Sequence, residues 1–207
     1  MPKQLFSGPE MYLVENWADA QLLQESMEEV RSKYKEVLSQ VLGRVSAKHH
    51  ELNRRGMRLK DSGGFINVGI GRDTWPSKDA AYPSGFWLSG VTLDDLASSD
   101  ADAPRASVFL DPAKDIQMDT SSASARLVEA AKQVLSAEIL DRFVCEEPDA
   151  SVYVYYPLPK SPQDLMELLR KEDAGGFVQC MVDHFETLTK FIPVIDDIYQ
   201  GADGHRK

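Results

Sequence analysis

An α+β fold opened by one long amphipathic helix is predicted by three features of the chain: a heptad of apolar positions near the N-terminus, consecutive segments of alternating hydrophobicity in the middle, and helical periodicity after them. The expected architecture is a long N-terminal helix, an antiparallel sheet of about four strands, and three helices of the C-terminal half packed on that sheet. Residues 1–55 form the helix and residues 56–207 the α+β body, the two belonging to one domain.

The helix is read from Pro9 to Arg55. Ala20, Leu23, Met27, Val30, Tyr34, Val37 and Val41 follow one another in alternating steps of three and four, a seam sustained through three heptads. Glu28, Glu29, Arg31, Lys33, Lys35 and Glu36 supply the charged face such a helix needs. The seam shifts at Gly43, which costs about 1 kcal/mol relative to Ala inside a helix, so a bend is expected there. Gly56 is the expected C′ residue. On that reading Lys48, Arg54, Arg55, Arg58 and Lys60 are a solvated helix end that complements the dipole, the alternative being a local basic patch for phosphate or RNA. A helix of about 35 residues reaches about 50 Å. That is longer than a small domain is wide, so the seam either packs along its own domain or pairs with another chain.

Strands follow. Gly64 to Gly71 alternates Ile66, Val68 and Ile70 against Phe65, Asn67 and Gly69; Gly85 to Leu93 and Ala106 to Leu110 are the next apolar runs. Consecutive strands without intervening helices predict antiparallel pairing. A helix is expected from Ser122 to Phe143, with Val128, Ala131, Leu135 and Ile139 on one face. Val152, Val154 and Tyr156 alternate with Tyr153 and Tyr155 in a fourth strand. Ser161, Pro162 and Asp164 start another helix, broken from the last one by Ala174-Gly175-Gly176. The last helix carries Phe177, Met181, Phe185, Leu188 and Ile192 on one face and stops or kinks at Pro193.

Composition narrows the function classes. An apolar fraction of 43% with 27% charged residues is globular rather than disordered. A net charge of −10, from 33 acidic against 23 basic residues, disfavours a general nucleic-acid binder. Two cysteines without short spacing fit a reducing cytoplasm, and no apolar run is long enough for a membrane span or a signal peptide. No cofactor is expected, because the phosphate loop, the dinucleotide fingerprint, the nucleophile elbow and the zinc motifs are all missing.

Two sets of residues remain as site candidates. Trp75, Tyr82, Phe86 and Trp87 place four large rings around one hairpin and suit a binding surface; the alternative is that they fold back over the sheet. Asp94 and Asp111, each following an expected strand, are the metal candidates together with His184, whose neighbours Asp183 and Glu186 are expected to raise its pKa. The order of elements from Asn16 to Tyr199 resembles the C-terminal half of some phage- and defence-associated members of the PD-(D/E)XK nuclease superfamily. That superfamily's acidic-x-Lys signature is absent, however, and with it the arrangement that places a metal ligand beside a charge-stabilising lysine. The preferred reading is a non-catalytic interaction protein that binds a protein partner and forms a homodimer through its N-terminal helix. The alternative is a metal-dependent hydrolase or nuclease-like enzyme with a carboxylate site of unfamiliar pattern.

Overall fold

The computed structural model describes residues 8–60, 64–75, 84–98, 104–110, 119–147 and 151–200. The chain forms two compact units, Met1–Val37 and Leu38–Lys207. The boundary falls inside a helix.

The first unit holds α1 (Gly8–Glu15) and the opening turns of α2 (Trp17–Lys48). The two helices are separated by Asn16, whose side-chain amide donates to the Tyr12 carbonyl at 2.8 Å and so competes with the backbone ladder. Asp19 in the first turn of α2 and Lys48 in the last suit the helix dipole. α2 stays helical through Gly43, from Trp17 to Lys48. Its end lies earlier than Gly56: a turn closed by the Leu52 N–H on the His49 carbonyl leads straight into a strand.

That strand, β1 (Asn53–Lys60), carries Arg54, Arg55, Arg58 and Lys60, which therefore do not form a helix end. β1 is an edge strand, paired with β2 (Gly64–Gly71) alone. Lys and Arg are common on such edges, where they discourage pairing with a second sheet. β3 (Gly85–Ser89), β4 (Arg105–Leu110), β5 (Val144–Glu146) and β6 (Val152–Pro157) complete a six-stranded antiparallel sheet in the order β1-β2-β3-β4-β6-β5. The sheet is therefore two strands wider than expected. β3 stops at Ser89, before the expected Leu93, because Gly90 takes a positive φ of 69°. Thr92 then caps α3 (Leu93–Ala97) in a reciprocal capping box with Asp95.

Register decides which residues share a face. Val68 opposes Leu88, Ile70 opposes Phe86, Phe86 opposes Val108, and Val108 opposes Val154. These side chains, with Ala106, Leu110, Val152 and Tyr156, are buried. Two helices cover this face. α7 (Gly175–Thr189) packs on β3 and β4, and α4 (Thr120–Val134) on β5 and β6. α6 (Pro162–Leu169) lies on α7 and α3, and α8 (Ile192–Gln200) lies on α4. Phe177, Met181, Phe185 and Leu188 on α7 are all buried, each worth about 1.5–3 kcal/mol of transfer free energy. The last eleven residues of α2 belong to the same core, with Leu38, Val41, Leu42 and Val45 buried.

Two expected helices are each divided. Leu135 leaves α4 with an extended backbone and Ser136 caps a separate α5 (Ala137–Leu140). The final helix stops at Thr189, and Pro193 falls in the first turn of α8, where its missing N–H has no intrahelical partner to lose. Ser161, Pro162 and Asp164 start α6 as expected, through a second capping box.

On the opposite face of the sheet, Trp87 lies across Gly69, its register partner. A Cβ at residue 69 would stand 2.4 Å from the Trp87 ring. The Gly69→Ala variant is expected to lose about 1–3 kcal/mol of stability in urea unfolding, with a shift in tryptophan fluorescence as the indole is displaced. Unchanged stability would mean that Trp87 yields without cost.

Candidate functional site

Polar side chains of the second unit converge where α2 ends. Lys48 Nζ lies 3.1 Å from Glu186 Oε1, and His49 Nε2 lies 3.1 Å from Glu186 Oε2. The other ring nitrogen of His49 faces Glu51 Oε1 at 3.8 Å. Glu51 is also 3.7 Å from Arg72, which pairs with Asp196 on α8. Asp196 Oδ1 accepts a hydrogen bond from Trp75 Nε1 at 2.9 Å. The result is a continuous polar chain, Lys48–Glu186–His49–Glu51–Arg72–Asp196, ending on an indole.

Local sequence explains the placement. Arg72 follows the last residue of β2, and the Trp75 N–H returns to the Arg72 carbonyl at 3.0 Å, a tight turn that sets guanidinium and indole on the same carboxylate. The Trp75 ring stands edge-on to Phe86, with centroids 5.4 Å apart at 88°. Burial pushes the Glu186 carboxyl up, but the His49 and Lys48 contacts outweigh it and hold the group below its ordinary value. Glu51 is held low chiefly by its own backbone N–H, against a smaller burial cost, with Arg72 and His49 adding to the effect. Arg72 Nε is buried and has no hydrogen-bond acceptor among the described residues. Each carboxylate in this chain already faces a cation and no nucleophile joins it, so its chemistry is that of a fastening. It ties the helix end, β2, α7 and α8 together.

A second polar pair is buried under the sheet. His184 on α7 is 8% exposed, and its Nδ1 lies 3.3 Å from the Tyr156 hydroxyl on β6. Burial pushes the imidazole down to about 4, against a smaller upward pull from Asp183. This corrects the expected upward shift: desolvation of the cation outweighs the adjacent carboxylate. Burial likewise pushes the Tyr156 hydroxyl well above its ordinary value. The neutral pair is self-consistent, with the phenol donating to an unprotonated Nδ1.

The ring candidates fall inside the fold. Trp75, Phe86 and Trp87 are 2%, 0% and 5% exposed, so all three serve as core. Period-two alternation sends Phe86 to the helix-covered face and Trp87 to the other, which the hairpin's composition alone could not reveal. Tyr82 lies outside the described residues, as does the metal candidate Asp111. Asp94 sits exposed in the first turn of α3, not at a strand end, and His184 is committed to Tyr156. Among the described residues no three His, Cys, Asp or Glu side chains are placed to hold a metal ion. A groove of about 340 Å³ lined by Arg126, Glu129, Ala130, Gln133, Val194 and Asp197 contains the Arg126–Asp197 ion pair.

The first unit presents the opposite situation. Trp17, Leu22, Leu23, Met27 and Val30 are 47–63% exposed, and Met11, Tyr12, Leu13 and Val14 are exposed as well. Among the described residues every exposed large hydrophobic lies between Met11 and Val30. The spacing of Leu23, Met27 and Val30 places them on one stripe of α2. Exposed apolar stripes of this kind are the surfaces that interfaces cover in general.

No protein-family model, curated protein or solved structure matches the chain. Among the described residues no helix is long and apolar enough to cross a membrane.

Two outcomes are expected from this geometry. Asp196→Ala removes the carboxylate that the Trp75 N–H bonds and leaves Arg72 with the more distant Glu51, and should cost about 1–3 kcal/mol in chemical unfolding; a loss below about 0.5 kcal/mol would show the contact to be incidental. His184 is depressed when folded, so its contribution is full above the unfolded value of 6.5 and is lost as pH falls toward about 4. Stability should therefore decline by about 3 kcal/mol across that window. In His184→Gln this part of the pH slope should vanish, as read from urea midpoints between pH 7 and pH 4.

Proposed function

We propose that this chain is a non-catalytic interaction protein that associates with a second copy of itself through the first half of α2. The observation that carries the reading is the exposed stripe of Leu23, Met27 and Val30. An isolated amphipathic helix leaves such a stripe in water, and burying a Leu, Val or Met is worth about 1.5–3 kcal/mol each. The heptad phase also favours a helical partner, because knobs at three-and-four spacing fit holes of the same spacing. This chain carries a matching seam of its own. Two free thiols, Cys145 and Cys180, suit a cytoplasmic setting.

Point substitutions are the proper test. Removing the helix up to Gly56 would also remove Leu38, Val41, Leu42 and Val45 from the core. Size-exclusion chromatography with light scattering is expected to give twice the chain mass for the native protein at tens of micromolar. Leu23→Glu with Met27→Glu should give one chain mass, with the thermal transition of the second unit retained. A native chain that stays monomeric at 100 μM would sink the proposal.

A further inference from the structure

We infer that the two copies pair antiparallel, with the first half of α2 lying on its symmetry mate about a two-fold axis near Glu25. This rests on the self-association reading and adds orientation and register to it. The evidence is a segregation of charge along the helix. From Trp17 to Glu29 α2 carries four carboxylates, Asp19, Glu25, Glu28 and Glu29, and no Lys or Arg. From Arg31 to Lys48 there are five basic residues against one carboxylate, Glu36. A parallel pair in register sets acid beside acid and base beside base, whereas an antiparallel pair sets unlike ends together.

The seam gives the register. With Ala20 and Met27 at a positions and Leu23 and Val30 at d, an antiparallel pair stacks a on d: Ala20 on the mate's Val30, and Leu23 on the mate's Met27. Each layer occurs twice, giving four in all. The same register brings flanking positions together as g with g and e with e. Asp19 then meets the mate's Lys33, and Trp17 meets the mate's Arg31, again twice each. All four of these side chains are exposed and available in the first unit. Asp19 and Lys33 form an ion pair, and an indole facing a guanidinium is a favourable cation–π arrangement. Lys33 already bonds Glu29 of its own helix at 2.5 Å, so its ammonium would bridge two carboxylates. In a parallel pair Asp19 faces Gln24 and Ser26 faces Arg31 at these flanks, and no opposite charges meet.

Charge exchange between two variants tests the orientation. Asp19→Lys and Lys33→Asp each replace both attractive pairs by repulsive ones. Each variant alone is expected to dimerise roughly tenfold more weakly than the native chain. Mixing the two at equal concentration should restore near-native association, because the ammonium introduced at position 19 of one variant then meets the carboxylate introduced at position 33 of the other. The readout is sedimentation velocity at low salt, with circular dichroism confirming that both variants fold. Native dimers with no recovery on mixing would overturn the antiparallel register while leaving self-association standing. A monomeric native chain would overturn both.

Discussion

A sheet with one wholly apolar face cannot exist in water uncovered, and the second unit is organised around meeting that requirement. Val68, Ile70, Phe86, Leu88, Val108 and Val154 line a continuous surface four strands wide, set by antiparallel register. α7 and α4 cover it, α6 packs on α7, α3 on α6, and α8 on α4. The polar chain from Lys48 to Asp196 adds directional contacts to this packing. It pins the end of α2 and the turn after β2 to α7 and α8 with groups whose geometry is directional, which apolar packing is not.

Much of this fold could be read from residue order. The strands with β-branched and aromatic alternation, β2, β4 and β6, came out close to their observed bounds, and Ser161-Pro162 marked the start of α6. What escaped detection lacked those signals. β1 is dominated by Arg and Lys, so it reads as a helix end, and only its pairing with β2 makes it a strand. β5 is three residues long, below the length at which alternation means anything. The division of α4 from α5 depends on Ser136 acting as a cap inside an otherwise periodic stretch. Gly43 illustrates the converse: a propensity cost near 1 kcal/mol is small against the burial of Val41, Leu42 and Val45 around it.

Site residues were less legible, for a physical reason. An aromatic cluster in sequence carries no information about which rings turn inward until register is known, and three of four candidate rings proved to be core. The groups that do meet, His49, Glu51, Arg72, Glu186 and Asp196, are spread over some 150 residues and have no mutual spacing to recognise. His184 shows how neighbours in sequence mislead: Asp183 is adjacent, yet burial decides the sign of the shift. The seam itself was legible, because heptad spacing is local, but which part of it is exposed was not: Leu23, Met27 and Val30 are exposed whereas Tyr34 and Val41 are buried.

The continuity of α2 across the boundary at Val37 has a thermodynamic consequence. Starting a helix is the costly step, and a segment of a dozen or so residues rarely holds in water alone. Here the turns from Leu38 to Lys48 are fixed by burial in the second unit and serve as the nucleus from which the preceding turns propagate. The exposed turns, continuous with that nucleus back to Trp17, thus need no nucleation of their own. Any ligand that grips those turns stabilises the nucleus too, so occupancy at the seam and the melting of the body become linked quantities.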